Sequence, residues 1–356
     1  MKRIGMSILH LALAGLLATA AGCVYDQPKL PASLAEYDAM LHAGPRYPDL
    51  TILLLNRQRM MDDDCGEPQR VESLRLVHRL AGDEPGVRQD VRTLLCHPAT
   101  PESLRQASLE LTLATHTPFA TTYAAFAANG YTFRQRDLHL IERLAADTSR
   151  QPFTRAQLVE KIRATLAARE HVHIAAPAPE TDVLDPIPTR TASGPIDVFD
   201  DHLTTLTHAD LWNIYLFQET LARPDVQRGL AAAVRDDRAD TTSAWGGLIF
   251  YASQHADMVR YKTPAEEGRS DFRHAFNPKA VEAGRDALAR FQFHFEKAHN
   301  TMRAGPTRAD LADAAAFDAY GLILTTINDH ALCAHYYTPQ GAIVSLGVYT
   351  FAETKP

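Results

Sequence analysis

The sequence predicts an α+β protein, with an all-α half of helical hairpins followed by a half that mixes helices and strands. Between about residues 49 and 172 apolar side chains recur at helical spacing, whereas short apolar runs typical of strands dominate after residue 198. A proline-rich stretch at 173–197, which cannot hold a helix, separates the halves. The predicted organisation is a leader at 1–22, a tether at 23–48, a helical-hairpin domain at 49–172, a linker at 173–197 and a sheet domain at 198–356.

Composition fits two folded domains. The 356 residues are 46% hydrophobic and 22% charged, so each half can bury a core. The formal net charge is -7 and no run of Lys or Arg stands out, so we expect no nucleic-acid partner. The sequence leaves the oligomeric state open.

Apolar stripes and caps indicate the helices of the first half. A stripe from Val71 to Leu80 stops at Gly82, and the segment Glu72–Arg75 recurs thirty residues later as Glu102–Arg105. Further stripes run through 87–95, 138–144 and 158–166, the last behind a capping box of Thr154 and Gln157. The pattern resembles HEAT-like repeats, and a simple antiparallel bundle gives the same stripes. Both interpretations make this half a scaffold or docking surface.

The second half alternates between the two kinds of element. Thr207 with Asp210 caps one helix, and Pro224 opens the next. Two more helices are predicted at 278–288 and 309–321. Strand-like runs are predicted at 248–251, 258–261, 291–295, 322–327, 332–337 and 342–349. Helices mixed with strands and closed by consecutive strands are typical of an α/β or α+β sheet domain.

The N-terminus carries a targeting pattern. Met1–Arg3 is positively charged, an apolar run from Ile8 to Leu17 follows, and small residues lead to Cys23. The run is shorter than the roughly twenty apolar residues that span a bilayer. This order resembles the bacterial lipoprotein signal, or lipobox. The resemblance implies loss of the first 22 residues and diacylation of Cys23. With Val24 in the next position, it also implies sorting to the outer membrane.

Three cysteines remain beyond Cys23. In an oxidising envelope compartment Cys65 and Cys96 could form a disulfide, and the alternative of two buried thiols stays open. Cys333 stands in an apolar strand-like run, so we expect it in the core.

Three segments of the sheet half share the order of a known metal-site pattern. Residues 290–296 alternate polar and apolar, which places Gln292 and His294 on one face of a strand together with Glu296. Upstream, Gly246-Gly247 enters a strand, and downstream a Thr-x-x-Asp segment, 307–310, opens a helix. This order resembles the JAMM/MPN metalloprotease family, whose signature is a glutamate before a Gly-Gly strand, then His-x-His, then Ser-x-x-Asp. The resemblance implies a cytidine-deaminase-like sheet.

Matched residue by residue, the site is degenerate. In the family, two imidazoles and a carboxylate hold zinc, and the glutamate takes a proton from the zinc-bound water. This chain keeps His294 and Asp310 in ligand positions and Thr307 in the serine position. Gln292 replaces the first histidine with a neutral amide, and Ala244 stands where the glutamate would be. Loss of a general base alone costs about 10²- to 10⁴-fold in rate. The resemblance thus implies a non-catalytic member without a zinc cofactor.

Other interpretations of the same residues remain. Thr307 and Asp310 could simply form a capping box at a helix start. Glu296 and His299 could join His294 in a substituted zinc site. The remaining paired histidines are expected to face solvent or lie in turns; these are His171, His173, His330 and His335.

The leading hypothesis is a lipid-anchored bacterial envelope protein, held to the membrane through Cys23, whose JAMM-like domain serves binding or assembly with a protein partner. One alternative is an active zinc metallo(iso)peptidase with substituted ligands. Another is a structural lipoprotein unrelated to the family, in which His294 and Asp310 would lie far apart.

Overall fold

A computed structural model describes residues 49–96, 99–131, 134–147, 153–177, 194–239, 245–252, 255–262, 287–295 and 299–351. The predicted lipoprotein signal, the tether and Ala244 lie outside the described residues, as do most of the linker and nearly all of the helix predicted at 278–288. Within the described ranges, no helix combines the length and the apolar character needed to cross a membrane.

The chain divides into two compact units between Thr112 and Leu113, well before the predicted linker at 173–197. Contacts with the sheet explain the difference. Tyr251, on a strand, donates a hydrogen bond to Asp147, and Tyr320 donates one to Asp137. The later helices of the predicted helical domain therefore belong to the same unit as the sheet.

The first unit is helical. Its elements are α1 (Asp49–Met61), α2 (Glu67–Ala81), α3 (Pro85–Cys96) and α4 (Glu102–Thr115), the last of which continues across the border. The predicted stripes supply its core, in which these residues are buried: Met60, Leu74, Val77, Val87, Val91, Leu94, Leu104 and Ala107. The repeated segment Glu102–Arg105 forms the first turn of α4, which begins at Glu102.

Five further α-helices precede the sheet within the described part of the second unit. They are α5 (Thr117–Ala128), α6 (Leu138–Ala146), α7 (Arg155–Ala167), α8 (His208–Ala222) and α9 (Pro224–Ala239). The capping boxes predicted at Thr154 and Thr207 are both formed. Helix α8 is buried over most of its length, which suits a central element.

A mixed sheet completes the second unit. Its strands are β1 (Trp245–Ala252), β2 (His255–Lys262), β3 (Ala289–His294), β4 (Gly321–Asn328), β5 (Ala331–Tyr337) and β6 (Ile343–Thr350), with α10 (Arg308–Phe317) between β3 and β4. The order across the sheet is β2-β1-β3-β4-β5-β6. Neighbours are antiparallel except β3 and β4, which are parallel and are joined through α10. Each predicted strand overlaps one of these six, so the mixed α/β architecture is confirmed.

The register aligns four residues in one row across the sheet. Gln292 pairs with Ile323, Ile323 with His335, and His335 with Ser345. Directly paired residues point to the same face of a sheet, so Gln292, His335 and Ser345 share a face with the apolar Ile323 between them. A register shift at Ala334/His335, a β-bulge or irregularity, precedes the last pair.

An apolar core covers this face of the sheet. Side chains of α10 and of the extended segments around Ile174 and Ile196 contribute to it. Its buried members are Ile174, Ala304, Ala314, Ile323, Cys333, Tyr337 and Ile343. Cys333 lies in the core as predicted, and burial raises the pKa of its thiol to about 12.

Candidate functional site

The strand and helix of the predicted metal site do meet. The side-chain amide of Gln292 on β3 donates to Asp310 Oδ1 on α10 at 2.8 Å. Asp310 is also close enough to His294 for its charge to act on that imidazole. The three residues therefore lie close together in space.

A capping box explains the position of Asp310. Its Oδ2 accepts hydrogen bonds from the Thr307 backbone N–H at 2.7 Å and from the Thr307 hydroxyl at 2.8 Å. In return, the Asp310 N–H donates to the Thr307 hydroxyl oxygen at 3.1 Å. With Gln292 on the other oxygen, both oxygens of the buried carboxylate already accept hydrogen bonds from the protein.

His294 is anchored through a neutral ring. Its side chain is 2% exposed, and Nδ1 lies 2.7 Å from the carbonyl oxygen of Arg303. Because a carbonyl only accepts, Nδ1 carries the proton. Burial lowers the pKa of His294, and the opposing charge of Asp310 does not offset that effect. The imidazole ties β3 to the short 3₁₀ turn Thr301–Arg303.

These residues do not fit a zinc ion. One position is a neutral amide, and the carboxylate is held in a helix cap. The substituted ligand His299 is exposed, with Nδ1 bonded to the Ile327 carbonyl at 2.9 Å, and Glu296 lies outside the described residues. Across the part of the chain that the structure describes, no group of three or more His, Cys, Asp and Glu side chains could hold a metal.

A second polar cluster lies farther along the same face, centred on Asp197. Its Oδ1 accepts a hydrogen bond from His173 Nδ1 at 3.0 Å, and its Oδ2 accepts one from His335 Nε2 at 3.0 Å. Its backbone oxygen accepts from the Ser345 N–H at 2.9 Å. With His171, which contacts Ser345, these residues form what we call the Asp197 cluster.

Electrostatics in the cluster favour a charged carboxylate. Asp197 is fully buried, which by itself raises its pKa. Hydrogen bonds and charge interactions with His335 and His173 outweigh that effect and hold the pKa of Asp197 below its ordinary value. The carboxylate is thus a buried anion stabilised by two imidazoles.

The tautomers of the three imidazoles follow from their acceptors. His173 and His335 each donate to Asp197, so their protons lie on Nδ1 and Nε2 respectively. His335 Nδ1 is buried and has no hydrogen-bond partner among the described residues. His171 donates from Nε2 to the Leu166 carbonyl at 3.0 Å, which leaves Nδ1 to accept from the Ser345 hydroxyl at 2.9 Å. The rings of His171 and His173 stack at 5.3 Å.

The expected placement of these histidines was partly wrong. His330 is an exposed turn residue, as predicted. His335 is fully buried, because the extended segments around Val172 and Asp197 cover β5 on this face. The alternation His171-Val172-His173 could have indicated that the two imidazoles lie side by side, since residues two apart in an extended chain point to one side.

The opposite face of the sheet carries buried carboxylates of a different kind. The Tyr320 hydroxyl donates to Asp137 Oδ1 at 2.5 Å, and the Tyr336 hydroxyl donates to Asp210 Oδ1 at 3.1 Å. Burial raises the pKa of Asp137 to about 6, against the hydrogen bond from Tyr320 and the charge of Arg136.

The predicted Cys65–Cys96 disulfide stays a prediction. Cys65 is a partly buried free thiol that donates to Asp62 Oδ2 at 3.7 Å, and the side chain of Cys96 lies outside the described residues.

Comparisons with family models, with curated proteins and with solved structures found no match for this chain.

Proposed function

We propose that this chain is a lipid-anchored protein of the bacterial outer membrane whose sheet domain acts in binding or assembly with a protein partner, and not as a zinc hydrolase. One observation carries the proposal. At the position where a JAMM-like enzyme would hold zinc, both oxygens of Asp310 accept hydrogen bonds from Thr307 and Gln292.

The chemistry of those donors supports a structural role. Moving Asp310 onto a metal would take it away from its donors and leave buried polar groups unpaired. The Gln292 amide donates a hydrogen bond to Asp310, so it fixes the carboxylate from the strand position where the family has a zinc-binding histidine. These hydrogen bonds hold α10 against β3.

Metal analysis and peptide cleavage test this part of the proposal. Purified wild-type chain, dialysed against zinc, should retain no stoichiometric zinc and should cleave neither peptide nor isopeptide substrates. The matched variants are His294→Ala and His330→Ala, the second removing the imidazole of an exposed turn residue that belongs to neither candidate ligand set. One zinc per chain together with cleavage, both lost in His294→Ala and kept in His330→Ala, would establish the active-enzyme alternative.

Lipid attachment tests the anchoring part. Cells fed labelled palmitate should incorporate label into the wild-type chain and place the chain in the outer-membrane fraction. Cys23→Ala should lose both the label and the fractionation, whereas Cys65→Ala should lose neither. Label that persists in Cys23→Ala would overturn the anchoring proposal.

A further inference from the structure

The Asp197 cluster presents an imidazole to solvent with a buried anion behind it. His173 donates from Nδ1 to Asp197, so its Nε2 is the basic nitrogen of the ring, and its side chain is 42% exposed. In catalytic His–Asp pairs, a carboxylate on Nδ1 fixes the tautomer and stabilises the imidazolium that forms when Nε2 takes a proton. The cluster has this arrangement.

Asp197 is held in place by three hydrogen bonds, two to its carboxylate and one to its backbone oxygen. His335 occupies Oδ2, Ser345 N–H holds the backbone oxygen, and His173 takes Oδ1. His335 is itself fixed on β5 and also contacts the Val172 carbonyl at 3.0 Å. Because a general base must be oriented before its substrate arrives, this rigidity suits catalysis better than a mobile surface ion pair would.

Ring packing also restrains His173. Its ring stacks on His171 with an angle of 9° between the planes, and His171 is held at both nitrogens, by Ser345 and by the Leu166 carbonyl. The imidazole of His173 thus has a fixed plane as well as a fixed tautomer.

We propose that His173 is a general base that activates water for hydrolysis of carboxylic esters, with Asp197 as its positioning residue. Nε2 takes a proton from water as the water oxygen adds to the ester carbonyl carbon. The bond from that carbon to the leaving alkoxide oxygen then breaks, and the imidazolium returns its proton to the alkoxide. An acid and an alcohol leave, and His173 is neutral again.

The chain supplies a matched control in His299. That exposed imidazole also donates from Nδ1, at 2.9 Å, but its acceptor is the neutral carbonyl of Ile327. Both rings therefore share a tautomer, and they differ in whether a buried anion stands behind the ring. If the anion matters, the two histidines should differ in reactivity.

Hydrolysis of p-nitrophenyl acetate by the mature chain tests the proposal. His173→Gln should abolish the protein-dependent rate, and Asp197→Asn should lower it about 10²- to 10⁴-fold. His299→Gln should leave the rate unchanged. An equal loss in His173→Gln and His299→Gln, or no loss in His173→Gln, would overturn the proposal.

A second readout keeps the test independent of folding in the Asp197 variant. In the folded wild-type chain, diethyl pyrocarbonate should modify His173 faster than His299, as followed site by site by mass spectrometry. Equal rates of modification at the two rings would also contradict the proposal. Neither assay involves zinc or peptide cleavage, so failure here is separate from failure of the binding role proposed above.

Discussion

Asp310 and Asp197 are two buried carboxylates served by the same row of the sheet, and they differ in the nature of their donors. Asp310 accepts from an amide, a hydroxyl and a backbone N–H, and these groups do not titrate near neutral pH. Asp197 accepts from two imidazoles, each of which has a second ring nitrogen that can accept a proton. The first arrangement fixes a helix, whereas the second can also move a proton.

Removing Asp197 should have the largest effect on stability. Asp197→Ala removes two hydrogen bonds to a buried charged group, each worth about 1.5–3 kcal/mol, and leaves the His335 Nε2–H without its charged acceptor. Urea unfolding at pH 7 measures the loss. The control is Asp200→Ala, since Asp200 pairs with Arg163 at the surface and should cost under about 1 kcal/mol. Equal losses in the two variants would contradict a special role for Asp197.

Because the pKa of Asp197 is lowered in the folded chain, Asp197 should stabilise the chain at neutral pH and stop doing so in acid. Its folded pKa is below the ordinary value of 3.8, so its contribution is fully present above that value and is lost as the pH falls through the folded pKa. Wild-type chain should therefore lose more stability than Asp197→Ala when unfolding is compared at neutral and strongly acidic pH. A wild-type loss no greater than that of the variant would contradict the shift.

Asp137, on the other side of the sheet, should have the opposite effect and destabilise the folded chain as the pH rises. Its pKa is raised from 3.8 to about 6, so folding is penalised increasingly as the pH rises from the lower value to the higher. Asp137→Asn keeps an acceptor for the Tyr320 hydroxyl and should stabilise the chain above pH 6. The gain is at most about 3 kcal/mol, from roughly 1.4 kcal/mol for each unit of pKa. Thermal unfolding measured on both sides of pH 6 would refute this if Asp137→Asn were destabilising at the higher pH.

Gln292→Leu should cost less than the loss of Asp197. It leaves Asp310 Oδ1 without its donor, for a penalty of about 1–3 kcal/mol. The exposed Gln106 in α4 provides the control, because Gln106→Leu removes only a surface contact with Glu110. Chemical denaturation gives the free energy of unfolding of both variants. If the amide of Gln292 is not needed, the two variants should lose the same stability.

The smallest expected effect is at the cap itself. Thr307→Ala should cost about 1 kcal/mol, and Thr307→Ser should restore most of it, because serine supplies the same hydroxyl. Thr154→Ala at the more exposed capping box of α7 gives the comparison. Calorimetry would count against the cap if Thr307→Ala and Thr307→Ser unfolded at the same temperature.

The elements that could be predicted from the sequence are those whose pattern lies within a short stretch of chain. Thr307 and Asp310 are three residues apart, and the strand runs show their own period, so the caps and all six strands could be predicted. Asp197 lies 24 residues from His173 and 138 from His335, and only the folded sheet brings them together. The border of the compact units was likewise set by long-range contacts such as that between Tyr320 and Asp137.

The most direct test of the account is a double-mutant cycle between Gln292→Leu and Asp310→Asn, with unfolding free energies measured in zinc-free buffer. A structural hydrogen bond between these two side chains predicts a coupling of about 0.5–3 kcal/mol without any added metal. Strict additivity of the two substitutions, or a coupling that arises only when zinc is supplied, would contradict the claim that this position is structural.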